Sequence, residues 1–375
     1  MKRRTFLQLS TAAPVALGAD SAAVPQYKVV SSFRPAAGAG MPGPYPGIVA
    51  SVHADKSIDA ETEKVDAAVV KAMIARGMTA LTGDSKSADA WRRFFSPSDV
   101  VGIKVNCSGA PGAMSMREVV AEIAENLAAV GVKPGQIYIY ERFLGQMKTA
   151  NYEPVVPAGV SIHAAEESRG SIKNYDPNTY VEVDFFGEED TRSHMTRLIT
   201  EKLTKIINVP NMKDHGAAGV TGCLKNIAYG SFSNVARSHQ REKTHTLSFI
   251  GTLAAVEPLR SRTVLHIMDG LRGVWHGGPF SRTRKFRFYP KQMMFGTDPV
   301  AMDRLLLDII DNKRKAEGAM PVGHHSMAYI KPGRGYADDP NIDRFLREPG
   351  HIEFASRLGL GVYDIRKIQV RKIEL

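Results

Sequence analysis

The sequence predicts an α/β protein, a mostly parallel sheet with helices on both faces. The chain is long enough for a second lobe and a site between the two. Three observations point there. Short apolar runs alternate with stretches of helical spacing from residue 47 onward. One stretch, Val100–Asn106, then a helical stripe, then Ile137–Tyr140, gives strand, helix and strand within about 40 residues, the βαβ order of parallel sheets. Finally, 375 residues with 43% hydrophobic and 23% charged side chains suit one large domain or two lobes. They exclude collagen-like, disordered and coiled-coil chains.

The N-terminus reads as an address. Arg3 and Arg4 precede Phe6-Leu7, a weakly apolar run to Gly18 and small residues up to Ala23. That is the plan of an export signal over residues 1–23, with the arginine pair of the twin-arginine route. The expected location is therefore periplasmic or otherwise exported, and the export machinery is an expected partner. The run is shorter than the ~20 residues that span a bilayer, so no stable span is expected in the mature protein. Residues 24–46, rich in Ala, Gly and Pro, read as a linker.

Gly47–His53 is a β-like run, and Ala60–Leu81 carries apolar residues near helical spacing. Ser87–Phe95 reads as a short helix with Trp91, Phe94 and Phe95 in the core, stopped by Ser96-Pro97. Val100–Asn106 is a buried-strand pattern. Ser115 and Glu118 form a capping-box pattern ahead of Val119, Val120, Ile123, Leu127 and Val130, and Gly131 stops that helix. Strands are expected at Ile137–Tyr140, Lys205–Val209, Thr263–Met268 and Gln292–Phe295. A helix follows over Pro299–Lys315, with Asp298 as cap and Pro299 at its first position; Asp303 reads as an exposed first-turn charge. A lobe boundary would fall near 285–295.

In such sheets ligands bind beyond the carboxyl ends of the strands. Five polar loops are expected there: Asn106-Cys107-Ser108, Glu141-Arg142, Asn211–Thr221, Asp269–Pro279 and Thr297-Asp298. The richest runs from Val209 to Asn226. Lys213, Asp214 and His215 lead into a small-residue turn with Gly216, Gly219 and Gly222, then a helix carrying Lys225 and Asn226. Glycines let backbone approach a ligand, and a helix N-terminus would offer N–H groups to an anion. Lys225, His215 and Lys213 are the candidate catalytic residues. Asn106, Arg142, Asn226, Gly219, Thr221 and His276 are the candidate binding residues. Lys225 is the expected centre, since a desolvated lysine among cations becomes a usable base, nucleophile or attachment point.

With 49 Lys and Arg against 39 Asp and Glu, the formal charge is +10. That favours small anions; the basic residues form no dense block, which argues against nucleic acid. Zincin, serine-hydrolase, Walker and thioredoxin-like signatures are absent. His324-His325 reads as a loop pair whose side chains face different directions. Cys107 and Cys223 lie in loops expected to converge, so a disulfide, two separate buried thiols and thiolate ligation all stay open.

Several segments together carry a resemblance: Val101–Asn106, Asn208–His215, Lys225-Asn226, Asp269–Gly273 with His276–Pro279, and Gly296–Asp303. In this order they resemble the domain-of-unknown-function family 362, over residues 47–375, and within it the subgroup with a twin-arginine signal and no ferredoxin insert. A fainter likeness adds chemistry. His215-x-x-Ala218-Gly219-x-Thr221-Gly222-x-x-Lys225 is similar to the lactate racemase segment whose lysine carries a tethered nickel–pyridinium cofactor. That likeness implies a transition metal or lysine-tethered cofactor on Lys225, with His215 and a nearby His239 as metal ligands. The chain departs from that family at Asn106–Gly112 and at Tyr140-Glu141-Arg142. The expectation is an enzyme, isomerase or oxidoreductase, on a small anionic substrate; a non-catalytic periplasmic ligand- or cofactor-binding protein is the alternative.

Overall fold

Apolar and β-branched runs become the strands of one large sheet in the computed structural model, which describes residues 24–375 except 36, 37, 39, 240–243, 325, 327, 329, 332–338 and 344. The segment 1–23 and His325 therefore lie outside the described residues. The strands are β1 (Lys28–Val30), β2 (Ile48–His53), β3 (Val101–Lys104), β4 (Ile137–Phe143), β5 (Ser161–Glu166), β6 (Tyr175–Glu182) and β7 (Arg192–Thr196). They continue as β8 (Lys205–Asn208), β9 (Asn211–His215), β10 (Gly219–Val220), β11 (Thr263–Val274), β12 (Arg287–Phe288), β13 (Gln292–Gly296) and β14 (Gln369–Glu374).

The main sheet runs β14-β2-β13-β11-β8-β3-β4-β5. Its pairings in this order are parallel except those of β13, which is antiparallel to both β2 and β11; β12 adds an antiparallel pairing with the end of β11. Residues 287–296 thus lie inside the sheet rather than between lobes. A small second sheet, β1-β6-β7, takes in part of the expected linker, where Lys28–Val30 pairs with Tyr180–Glu182.

Helices α1 (Ala67–Thr82), α2 (Ser87–Arg92), α3 (Arg117–Ala129) and α4 (Leu144–Ala150) come from the first half of the chain. Helices α5 (Gly222–Ser231), α6 (Thr246–Ala254), α7 (Leu259–Arg262), α8 (Pro299–Ala316) and α9 (His351–Arg357) come from the second. They cover opposite faces. Met73, Ile74, Val119 and Ile123 pack on Ile103, Ile207 and Ile267, whereas Ile227, Phe249 and Leu306 pack on Tyr140, Ile206 and Met268. Adjacent Ile206 and Ile207 point into different cores, as alternation along a strand requires. Trp91, Phe94 and Phe95 are core, as expected.

Three local expectations change. The helix expected from Ala60 starts at Ala67, because Asp66 accepts from Ala68 and Val69 N–H and makes the cap. No capping box forms at Ser115. Its hydroxyl donates to the Val209 carbonyl (2.6 Å) and accepts from Asn106 N–H (2.8 Å), while Asp269 accepts from Met116 N–H (2.6 Å) at the start of α3. The Asn211–Thr221 loop is a hairpin of β9 and β10, in which Val220 pairs with Asp214.

Candidate functional site

Parallel β3, β4 and β8 end in register, with Lys104 beside both Tyr140 and Asn208. The residues just past these ends therefore share one edge, and a buried polar network forms there. Lys213 Nζ, fully buried, donates to Asn106 Oδ1 (2.5 Å), Ser108 Oγ (2.9 Å) and the Pro279 carbonyl (2.9 Å). Because Asn106 Oδ1 is an acceptor here, its Nδ2 donates onward to Asn226 Oδ1 (2.9 Å). Asn226 Nδ2 donates to Asn208 Oδ1 (2.7 Å), and Asn208 Nδ2 donates to the Cys223 carbonyl (2.9 Å). Lys104 Nζ braces the chain from below, through Glu141 (2.7 Å) and Asn226 Oδ1 (3.3 Å).

Lys225 stands apart in this network. It lies in the first turns of α5 and is 8% exposed. Its Nζ sits 4.2 Å from the centroid of the Tyr229 ring, one turn on, and makes no hydrogen bond or ion pair among the described residues. Burial, followed by the charges of Lys213, Arg142 and Lys104 and opposed by Glu141, lowers its pKa to about 7. Lys213 is likewise brought down to about 7, burial again being the main cause.

His215 Nδ1 accepts from the N–H groups of Ala217 and Ala218, both at 3.1 Å. The neutral ring therefore carries its proton on Nε2. Its pKa lies well below the ordinary value, through burial and then the charge of Lys225. The His239 ring lies 5.2 Å from it and 5.5 Å from Tyr229. His239 donates from Nδ1 to the Ala236 carbonyl (3.2 Å), which leaves the Nε2 lone pair buried without a partner among the described residues. Burial and Lys225 push its pKa down to about 3.

Other expected residues have different surroundings. Arg142 holds Glu166 through Nε at 2.6 Å, and its charge acts on Lys225. Gly219, at φ +79°, is closed off by Val322 and Pro349, so its freedom serves packing rather than ligand approach. Thr221 is buried, with its hydroxyl unpartnered. The start of α5 offers no free N–H groups for an anion at Cys223 and Leu224, because the Asp303 carboxylate accepts both (2.5 and 2.9 Å). Asp303 is fully buried, not exposed as its sequence position suggested. His276 packs edge-on against Phe286 and lies 3.4 Å from Arg314 Nη1; two residues on, Gly278 N–H donates to Asp214 Oδ1 (2.7 Å). Thr297-Asp298 lies elsewhere: β13 runs opposite to its neighbours, and Asp298 binds Gly47 N–H at the start of β2 (2.9 Å) while capping α8.

Glu141 lay in one of the expected polar loops, but Lys104 and Asn208 as network members were not singled out from the sequence. A lysine or asparagine closing an otherwise apolar strand, as in Val-Gly-Ile-Lys and Lys-Ile-Ile-Asn, is the signal that could have found them.

The family profile described as Domain of unknown function (DUF362) matches residues 101–308, more than half of the chain and every residue of this network. The chain is a DUF362 protein. No curated protein matches it at a significant level.

In this DUF362 protein the expected metal ligands do not fit their role. His215 presents N–H, not a lone pair, from Nε2, and reversing the tautomer would set a ring N–H against two backbone N–H groups. His239 alone offers one imidazole lone pair, and no group of three or more His, Cys, Asp or Glu among the described residues is arranged to hold a metal. A nickel-bearing group tethered to Lys225 would lack its protein donors in the same way. Cys107 and Cys223 are free thiols in different cores, Cys107 beside Met147 and Tyr152, Cys223 beside Met302.

Proposed function

We propose that this DUF362 protein is an enzyme acting on a small anionic substrate, with Lys225 supplying the reacting amine. The supporting observation is an amine buried at a parallel-sheet edge with no acceptor of its own among the described residues, in the field of Arg142, Lys213 and Lys104. With its pKa brought to about 7, a large fraction of Lys225 is free amine at neutral pH. The surrounding cations draw a carboxylate or phosphate, and the asparagine chain fixes which groups face it. The unpartnered Thr221 hydroxyl and His239 Nε2 add a donor and an acceptor for such a ligand. The likeness of His215–Lys225 to the lactate racemase segment favours isomerase-type proton transfer. Residues 1–23 favour export by the twin-arginine route before the enzyme acts.

Calorimetric titration with a panel of small carboxylates and phosphates tests the reading. One of them should bind saturably, and Lys225→Gln should remove turnover of that compound. Full turnover by Lys225→Gln would sink the assignment.

A further inference from the structure

We infer that Lys225 forms an imine with a small 2-oxo acid held at the strand-end network. The inference rests on the anionic-substrate reading and adds the bond that is made. Two features of the site select this step over simple proton abstraction. Abstraction needs one acceptor. Imine formation needs an uncharged amine, a group that carries protons from nitrogen to oxygen, and a donor to steady that oxygen. Lys225 Nζ has no carboxylate or carbonyl acceptor among the described residues, only the face of the Tyr229 ring at 4.2 Å. His239 Nε2 is a buried acceptor without a partner among the described residues, and His215, whose ring centroid is 5.2 Å from that of His239, presents an N–H from Nε2. The carboxylate of the 2-oxo acid would be met by Arg142, whose paired terminal N–H groups suit it; Glu166 engages that side chain through Nε (2.6 Å).

The step balances without an oxidant or reductant. Lys225 Nζ attacks the carbonyl carbon, and the C–N bond forms as the carbonyl π pair moves to oxygen. Both amine protons pass in turn through His239 Nε2 to that oxygen, which hydrogen-bonds His215 N–H until the C–O bond breaks. One amine and one carbonyl become one imine and one water.

Incubating the protein with pyruvate, glyoxylate or 2-oxoglutarate and then sodium borohydride should fix one reduced adduct per chain, on the peptide that contains Lys225. Lys225→Arg should lose that adduct at least tenfold. His239→Gln should slow its formation at least tenfold. Saturable binding without an adduct on Lys225 would overturn the imine and leave the anion site standing. Neither binding nor adduct with any of the three acids would overturn both.

Discussion

A lysine amine cut off from water and given no acceptor raises the free energy of the folded chain. Lys225 is ordinarily protonated to about 10.5 in the unfolded chain and only to about 7 when folded. Between those values the unfolded state binds more protons, so this group's contribution makes the protein more stable as pH rises from 7 towards 10. Lys213 acts with the same sign. Replacing Lys225 by methionine, similar in length and uncharged, should therefore stabilise the fold at pH 7 by on the order of 3 kcal/mol. The gain should shrink at pH 9. Urea unfolding of both proteins at the two pH values measures this, and an unchanged midpoint at pH 7 would mean that the amine is solvated after all. The thiols give a second check at this scale. Buried Cys107, held up to about 12 by its burial, and Cys223 should both remain reduced. Labelling after denaturation without reductant should find two reactive thiols per chain.

Helix α5 carries the site, and neighbouring elements hold it from both ends. Asp303 of α8 accepts the N–H groups of Cys223 and Leu224. Truncating it to alanine leaves two buried donors without partners, which should cost roughly 2–4 kcal/mol in urea unfolding. At the far end, a Cβ on Gly230 would come within 1.8 Å of Lys104 Cε. Gly230→Ala should thus push Lys104 off Glu141, and substrate turnover should fall further than stability does. Much of this was legible in the sequence. The residue types and spacing of 209–226 mark the site, and Asp298-Pro299 marks the start of α8. Direction was not legible. Gln292–Gly296 has the composition of any buried strand, yet it runs backwards, which carries Thr297-Asp298 to the opposite sheet edge. Nor can spacing show that Ser115 bonds a carbonyl 94 residues away, just past β8, or that Asp303 turns inward to a distant helix. These are long-range partnerships, and local pattern carries no information about them.

At the scale of the whole molecule, two cores share one sheet, and the excess of basic residues, +10 overall, is spread along the chain. If residues 1–23 are a twin-arginine signal, replacing Arg3 and Arg4 together by lysine should keep the precursor in the cytoplasm. Undiminished periplasmic protein on fractionation would refute that route. The sheet has a further consequence for how the molecule is made. Strand β14, which follows every other strand in sequence, pairs with β2 along its whole length, from Gln369 beside Ile48 to Glu374 beside His53. During synthesis β2 therefore waits with one edge bare until β14 has left the ribosome, and a bare edge is a template for pairing with another chain. A nascent chain stopped at residue 368 should collect in aggregates, although every residue of the proposed site has already been made.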